Sequence, residues 1–212
     1  MQPFTTLTSV AVPLDIAKLD TGMIVPGRFQ RLPRRPGYAD YARVFLHDLR
    51  FDAHEKPRAE FILNQPVYQG AQVLVTGLDF CCGSSRESAA FATLDYGVRA
   101  LIGASFGDVY RGNCLQSGVL TIVLPPDVVA KLTRDLQAAP GARVTVNLER
   151  QEVHAPDGAV HNFDIDAARK ERLLKGLDDV GVTLTHLKAI EAFESHYHAG
   201  VRWLQPVTKL RG

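Results

Sequence analysis

The chain has little cysteine, two methionines, one tryptophan and no long apolar run. Its three cysteines are an odd number, and two of them, Cys81 and Cys82, are adjacent, too strained a pairing for a routine structural disulfide. No C-x-x-C spacing occurs, so the pattern argues against zinc or iron–sulfur ligation, and the thiols read as reduced, in a cytoplasmic protein. The best apolar stretch, VLTIVL, stops at Pro125-Pro126, far short of the roughly 20 residues that cross a bilayer. The N-terminal MQPFTTLTSVAVPLDIAKL has no basic region leading into an apolar core, so no signal peptide is expected. An excess of one charge is missing too. Twenty-four Lys and Arg face 23 Asp and Glu, a net charge of +1, so no strong field draws nucleic acid or a membrane surface. No internal repeat, low-complexity tract or clear linker breaks the chain. With 46% hydrophobic residues among 212, it reads as one well-cored domain over 1–212.

Strand and helix signals then alternate. TSVAVPL, residues 8–14, reads as a strand. Residues 20–38, DTGMIVPGRFQRLPRRPGY, carry three prolines, three glycines and Arg28, Arg31, Arg34 and Arg35, and read as loop. A helix is expected near residues 41–49. From Gln72 the rhythm sharpens: AQVLVTG, VRALIGAS and VLTIVL are strands, separated by the helical SRESAAFATLDYG and FGDVYRGNCLQSG. DVVAKLTRDLQAAPG places Val128, Val129, Leu132 and Leu136 at helical spacing. RVTVNL alternates as a strand, and QEVHAPDGAVHNFDI reads as a hairpin around Asp157-Gly158. Helices near 167–175 and 186–197 close the chain. The fold class that follows is α/β, a mixed sheet with a parallel core and a late β-hairpin.

The chemistry concentrates in FCCGSSRESAAFATLDYG, residues 80–97. Ser84 and Glu87 form S-x-x-E, which by itself describes a capping box and nothing catalytic. The neighbours add more. A helix start offers unpaired amides and partial positive charge, Gly83 permits close backbone approach, and Arg86 supplies a planar fork for a carboxylate or phosphate. The stretch therefore reads as an anion site containing serine hydroxyls. It lacks the lysine of a phosphate-binding loop, the G-x-G-x-x-G of a dinucleotide site and the G-x-S-x-G of a hydrolase elbow. With no obvious histidine base, a reactive serine would be activated by the helix dipole, amides and arginine. His196-Tyr197-His198 has no third ligand in view and reads as a surface pair. Asp108 and Asn113 read as structural or interface residues.

GSSRE before an alanine-rich helix, followed by DYGVRALIGASFGDVYRGNCLQSGVL, resembles the small subunit of 3-isopropylmalate dehydratase, the counterpart of the mobile C-terminal domain of aconitase. VPLDIAKLDTGMIVP, FILNQPVYQGAQVLV and GLDDVGVTLTHLKAIEAFE extend the resemblance over nearly the whole chain. It implies a swivelling β/β/α domain that closes on a large subunit. That partner would carry a 4Fe–4S cluster on its own cysteines, with no cofactor on this chain. It implies a hydro-lyase that converts 2-isopropylmalate to 3-isopropylmalate, a small dicarboxylate, by dehydration and rehydration in leucine biosynthesis. By motif position Ser84, as alkoxide, removes the carbon-bound proton. Arg86 binds a substrate carboxylate, Ser85 belongs to the same substrate-binding turn, and a second arginine of the arginine-rich loop, Arg34 or Arg35 with Arg35 preferred, contacts substrate as well.

Two positions depart from the family pattern. Its D-T-D becomes Asp20-Thr21-Gly22, and its S-R-E-H ends in Ser88. These leave two alternatives open: a paralogue acting on a methyl- or dimethylmalate type of substrate, and a carboxylate-binding domain without chemistry.

Overall fold

The computed structural model describes residues 1–32, 40–83 and 86–201. They form two compact units, one from Met1 to Gly176 and one from Leu177 onward.

The first unit is built on a seven-stranded sheet. Strands β1 (Thr6–Leu14), β2 (Val73–Thr76), β3 (Ala100–Gly103) and β4 (Leu120–Val123) run parallel in the order β4-β3-β2-β1. β5 (Arg143–Asn147), β6 (Glu152–His154) and β7 (Val160–Asn162) continue from the other side of β1 as antiparallel neighbours. The parallel core and the late hairpin expected from the sequence are both present.

The parallel strands are apolar on both faces because both faces are covered. Val12, Leu14, Leu74 and Leu101 point into one core, with Ala89, Ala90 and Ala92 of α4 (Glu87–Asp95) and Tyr110 and Cys114 of α5 (Asp108–Ser117). Ala11, Val73, Val75, Ala100 and Ile102 point into the other, with Val129, Leu132 and Leu136 of α6 (Pro126–Ala138) and Leu173 of α7 (Ala167–Lys175). Alternate residues of one strand thus feed opposite cores. A buried bond between the Thr93 and Tyr110 hydroxyls, 2.7 Å, joins α4 to α5.

Three local expectations need correction. Residues 20–38 are not loop throughout. The Asp20 carboxylate accepts from the Gly22 amide at 2.6 Å and caps a single helical turn, α1 (Thr21–Ile24), and a 3-10 turn follows at Gly27–Phe29. The helix over 41–49 is two pieces, α2 (Asp40–Val44) and α3 (His47–Arg50), broken at Leu46, whose φ is 51°. The break is stabilised because the Arg50 guanidinium donates to the carbonyls of Ala42 and Phe45, both at 3.1 Å, where a continuing helix would have supplied amides. Third, α4 begins at Glu87 with Arg86 as its N-cap, and Arg86 makes no capping bond through its side chain. Glu87 is therefore the first helical residue rather than the third, the position that a capping box requires.

The second unit contains α8 (Asp179–Leu184) and α9 (Leu187–Gly200). The sequence pattern missed α8, whose start is capped by Asp178 accepting from the Gly181 amide at 2.7 Å. Val180, Leu184, Leu187, Phe193 and Tyr197 are exposed on these helices. Among the described residues, no helix is long and apolar enough to cross a membrane.

Candidate functional site

Three loops meet where β1, β2 and β3 end. From β1 comes the segment to Asp20, from β2 the turn through Gly83, and from β3 the segment Ser105-Phe106-Gly107. Isolated bridges tie Asp20 to Cys82 and Phe80 to Phe106. The C-terminal edge of parallel strands is where open α/β sheets commonly place their ligands.

The β2 turn holds an unusual backbone. Asp79, Cys81 and Gly83 all have positive φ, at 53°, 57° and 94°. For the two non-glycine residues this is a costly conformation that persists only when its surroundings enforce it. The enforcement is visible. The Asp79 amide donates to Ser105 Oγ at 2.8 Å, and that hydroxyl donates back to Asp79 Oδ1 at 2.6 Å. The Phe80 amide donates to the Ser105 carbonyl and the Gly107 amide to the Phe80 carbonyl. A Cβ on Gly107 would collide with the Cys81 carbonyl, and one on Gly83 with Asp20 Oδ2. The Asp20 carboxylate therefore lies directly against the turn that leads into Ser84. A side chain at position 22 would crowd the same carboxylate, with its Cβ 2.8 Å from Oδ1. Gly22 thus sits in close contact with the carboxylate that caps α1 and faces Gly83.

Arg86 is half-buried at the head of α4. The Gln30 carboxamide, with its oxygen turned to the guanidinium, accepts from Arg86 Nε at 2.9 Å and also from Nη1. Among the described residues no carboxylate pairs with Arg86, and Nη2 has no partner. Among the described residues, an arginine held on one side and unpaired on the other, at a helix start where its own side chain makes no capping bond, is suited to an incoming carboxylate.

Gln30 follows the 3-10 turn, which is firmly anchored. Phe29 packs on the buried His47 ring at 4.7 Å, and Arg28 forks onto Asp48, with Nη1 to Oδ2 at 2.9 Å. His47 contacts Asp48 Oδ1 at 3.0 Å and Glu55 Oε2 at 3.1 Å. The hydrogen bond from Arg28 is the main reason that the Asp48 carboxyl is held down to about 2. The Tyr41 hydroxyl donates to the Leu32 carbonyl at 3.1 Å, fixing the far end of the segment.

Of the residues singled out in the sequence, the structure places Arg86 at this site. Ser84, Ser85 and Arg35 lie outside the described residues, as does Arg34. Cys81 and Cys114 are buried. Burial pushes the Cys114 thiol up to about 12 and the Cys81 thiol higher still, aided by Cys114, Asp20 and Cys82. Among the described residues no group of three or more His, Cys, Asp or Glu could hold a metal ion. Asp20, Gln30 and Ser105 were missed as site residues. The S-F-G of residues 105–107 was the only visible hint, since the other contacts join residues distant in sequence.

Residues 1–127 match the family of the aconitase C-terminal domain, and residues 130–167 match LeuD_N. The 3-isopropylmalate dehydratase small subunit of Dinoroseobacter shibae is 42% identical over 205 residues, covering 96% of this chain and 100% of that protein. The chain belongs to the 3-isopropylmalate dehydratase small-subunit family. The small subunit of Parvibaculum lavamentivorans is 44% identical over 204 residues, again covering 96% of this chain and 100% of that protein. A crystal structure of 3-isopropylmalate dehydratase from Methanocaldococcus jannaschii superposes with a TM-score of 0.62, covering 89% of this chain and 99% of that one. At 21% identity it shows the shared fold. As a member of this family, the chain has relatives named as one subunit of a larger enzyme, which implies a large-subunit partner.

Proposed function

We propose that this chain is the small subunit of a hydro-lyase that interconverts 2-isopropylmalate and 3-isopropylmalate, and that the turn from Gly83 to Arg86 supplies its proton-moving and carboxylate-binding groups. The observation that carries the reading is Arg86 at the head of α4, which is held by Gln30 through Nε and Nη1 while Nη2 has no partner among the described residues. The names of the full-length relatives identify the substrate.

The roles follow from charge. Arg86 takes one substrate carboxylate through Nη2, aided by the first amides of α4. Ser85 and Arg35 complete the binding of the dicarboxylate. Ser84, as alkoxide, takes the proton from the carbon next to the one bearing the hydroxyl. Arg86 and the helix amides lower the cost of that alkoxide. The protonated Ser84 then returns the proton to the neighbouring carbon as the alkene is rehydrated. The departing hydroxyl needs a Lewis acid, which the resemblance places in a 4Fe–4S cluster on the large subunit.

The division of labour is testable by recombination. The purified chain alone is expected to be colourless and inactive on 2-isopropylmalate, and a cluster-loaded large subunit alone is expected to be inactive as well. Mixed, they should produce 3-isopropylmalate. Appreciable turnover by the isolated chain would overturn the proposal, as would failure of the mixture with a demonstrably intact partner cluster.

A further inference from the structure

We propose that Gln30 is a positioning residue that acts through Arg86: its carboxamide oxygen fixes the rotation of the guanidinium, so that Nη2 is the group presented to a substrate carboxylate. The inference rests on the reading of Arg86 as a carboxylate ligand and adds the element that orients it.

An arginine is a long side chain with many rotamers, and a free one at a binding site must be ordered by its ligand at an entropic cost. Arg86 is already ordered on one side, since Gln30 accepts from Nε and Nη1. Gln30 can do this because its backbone is fixed. Its amide donates to the Gly27 carbonyl at 3.3 Å, closing the 3-10 turn. The preceding Phe29 and Arg28 are locked onto His47 and Asp48. Arg28 also lies over the Phe29 ring, its Cζ 4.5 Å from the centroid. The polar cluster of Arg28, His47, Asp48 and Glu55 thus buttresses the turn that aims Gln30. Gln30 itself is exposed, so removing its amide opens no core cavity. A neutral amide suits this position. It accepts a hydrogen bond without neutralising Arg86, whereas a carboxylate in its place would compete with the substrate.

That difference gives the test. Gln30→Ala, Gln30→Glu, Arg86→Lys and the two double variants are each assembled with the cluster-loaded large subunit, and kcat, KM and melting temperature are measured. Gln30→Ala should raise KM about 2–10-fold, the range for losing one ordinary hydrogen bond, with a smaller effect on kcat and an unchanged melting temperature. Gln30→Glu keeps an acceptor yet should raise KM more than Gln30→Ala. In an Arg86→Lys background the Gln30→Ala effect should vanish, because lysine has no Nε–H to be oriented. If Gln30→Ala costs the same in that background, or if Gln30→Glu is the milder variant, Gln30 acts as a local structural residue and the inference is overturned alone. An Arg86→Lys enzyme with unchanged kcat/KM would overturn the carboxylate reading and this inference with it.

Discussion

Ser84→Ala, assembled with a cluster-loaded large subunit, is expected to lose about 10²–10⁴-fold in kcat, the usual loss on removing a general base. The expectation comes from the lack of a substitute. Among the described residues near the turn, Arg86 cannot give up a proton near neutrality, and the Asp20 carboxylate accepts from the Gly22 amide and lies against Gly83. Melting temperature should change little. The sequence pattern made Ser84 a helix cap as well, which would have added about 1 kcal/mol of stability, but α4 starts at Glu87. A clean separation follows: loss of rate without loss of fold. The same change at Ser85 should cost less than about tenfold, the worth of one ordinary hydrogen bond. Near wild-type turnover in Ser84→Ala would leave the turn as a carboxylate clamp only.

Arg86→Lys is expected to lower kcat/KM by about 10–100-fold. It keeps the charge but loses the fork, and hydrogen bonds to charged groups are worth about 1.5–3 kcal/mol. Lysine also cannot hold the contact that Gln30 makes with Nε. Melting temperature should hold, since among the described residues Arg86 has no ion pair to lose. A marked drop in melting temperature with normal kcat/KM would make Arg86 a structural residue.

Much of the architecture was readable from local pattern. AQVLVTG, VRALIGAS and VLTIVL are mostly apolar because strands β2, β3 and β4 feed two cores, and Asp157-Gly158 marks the hairpin that the structure contains. What escaped depends on contacts made across the chain. In a segment dense with proline and glycine, α1 is capped by Asp20 and tied to the rest of the fold by the Leu46 amide donating to the Ile24 carbonyl. The break at Leu46 depends on Arg50 reaching back to the carbonyls of Ala42 and Phe45. The start of α4 was displaced because S-x-x-E matches a capping box in spelling, while three positive-φ residues carry the chain along another path just before it. At the site the motif pointed to Arg86, but nothing local joins Gln30 to it, or Asp20 to Gly83. The departure at Gly22 gains a physical meaning only in three dimensions, where an added Cβ would crowd the Asp20 carboxylate.

The central claim is that this chain moves the proton, and isotope release tests it most directly. The substrate is 2-isopropylmalate carrying deuterium on the carbon that loses its proton, mixed with the large subunit and either the wild-type or the Ser84→Ala chain. Loss of deuterium from that carbon, whether to water or to the neighbouring carbon of the product, and alkene formation are followed together. The account predicts alkene formation accompanied by loss of label with the wild-type chain, and fully labelled substrate with no alkene from Ser84→Ala. Label lost at a wild-type rate from the Ser84→Ala complex would contradict it, because the proton would then be leaving through another group.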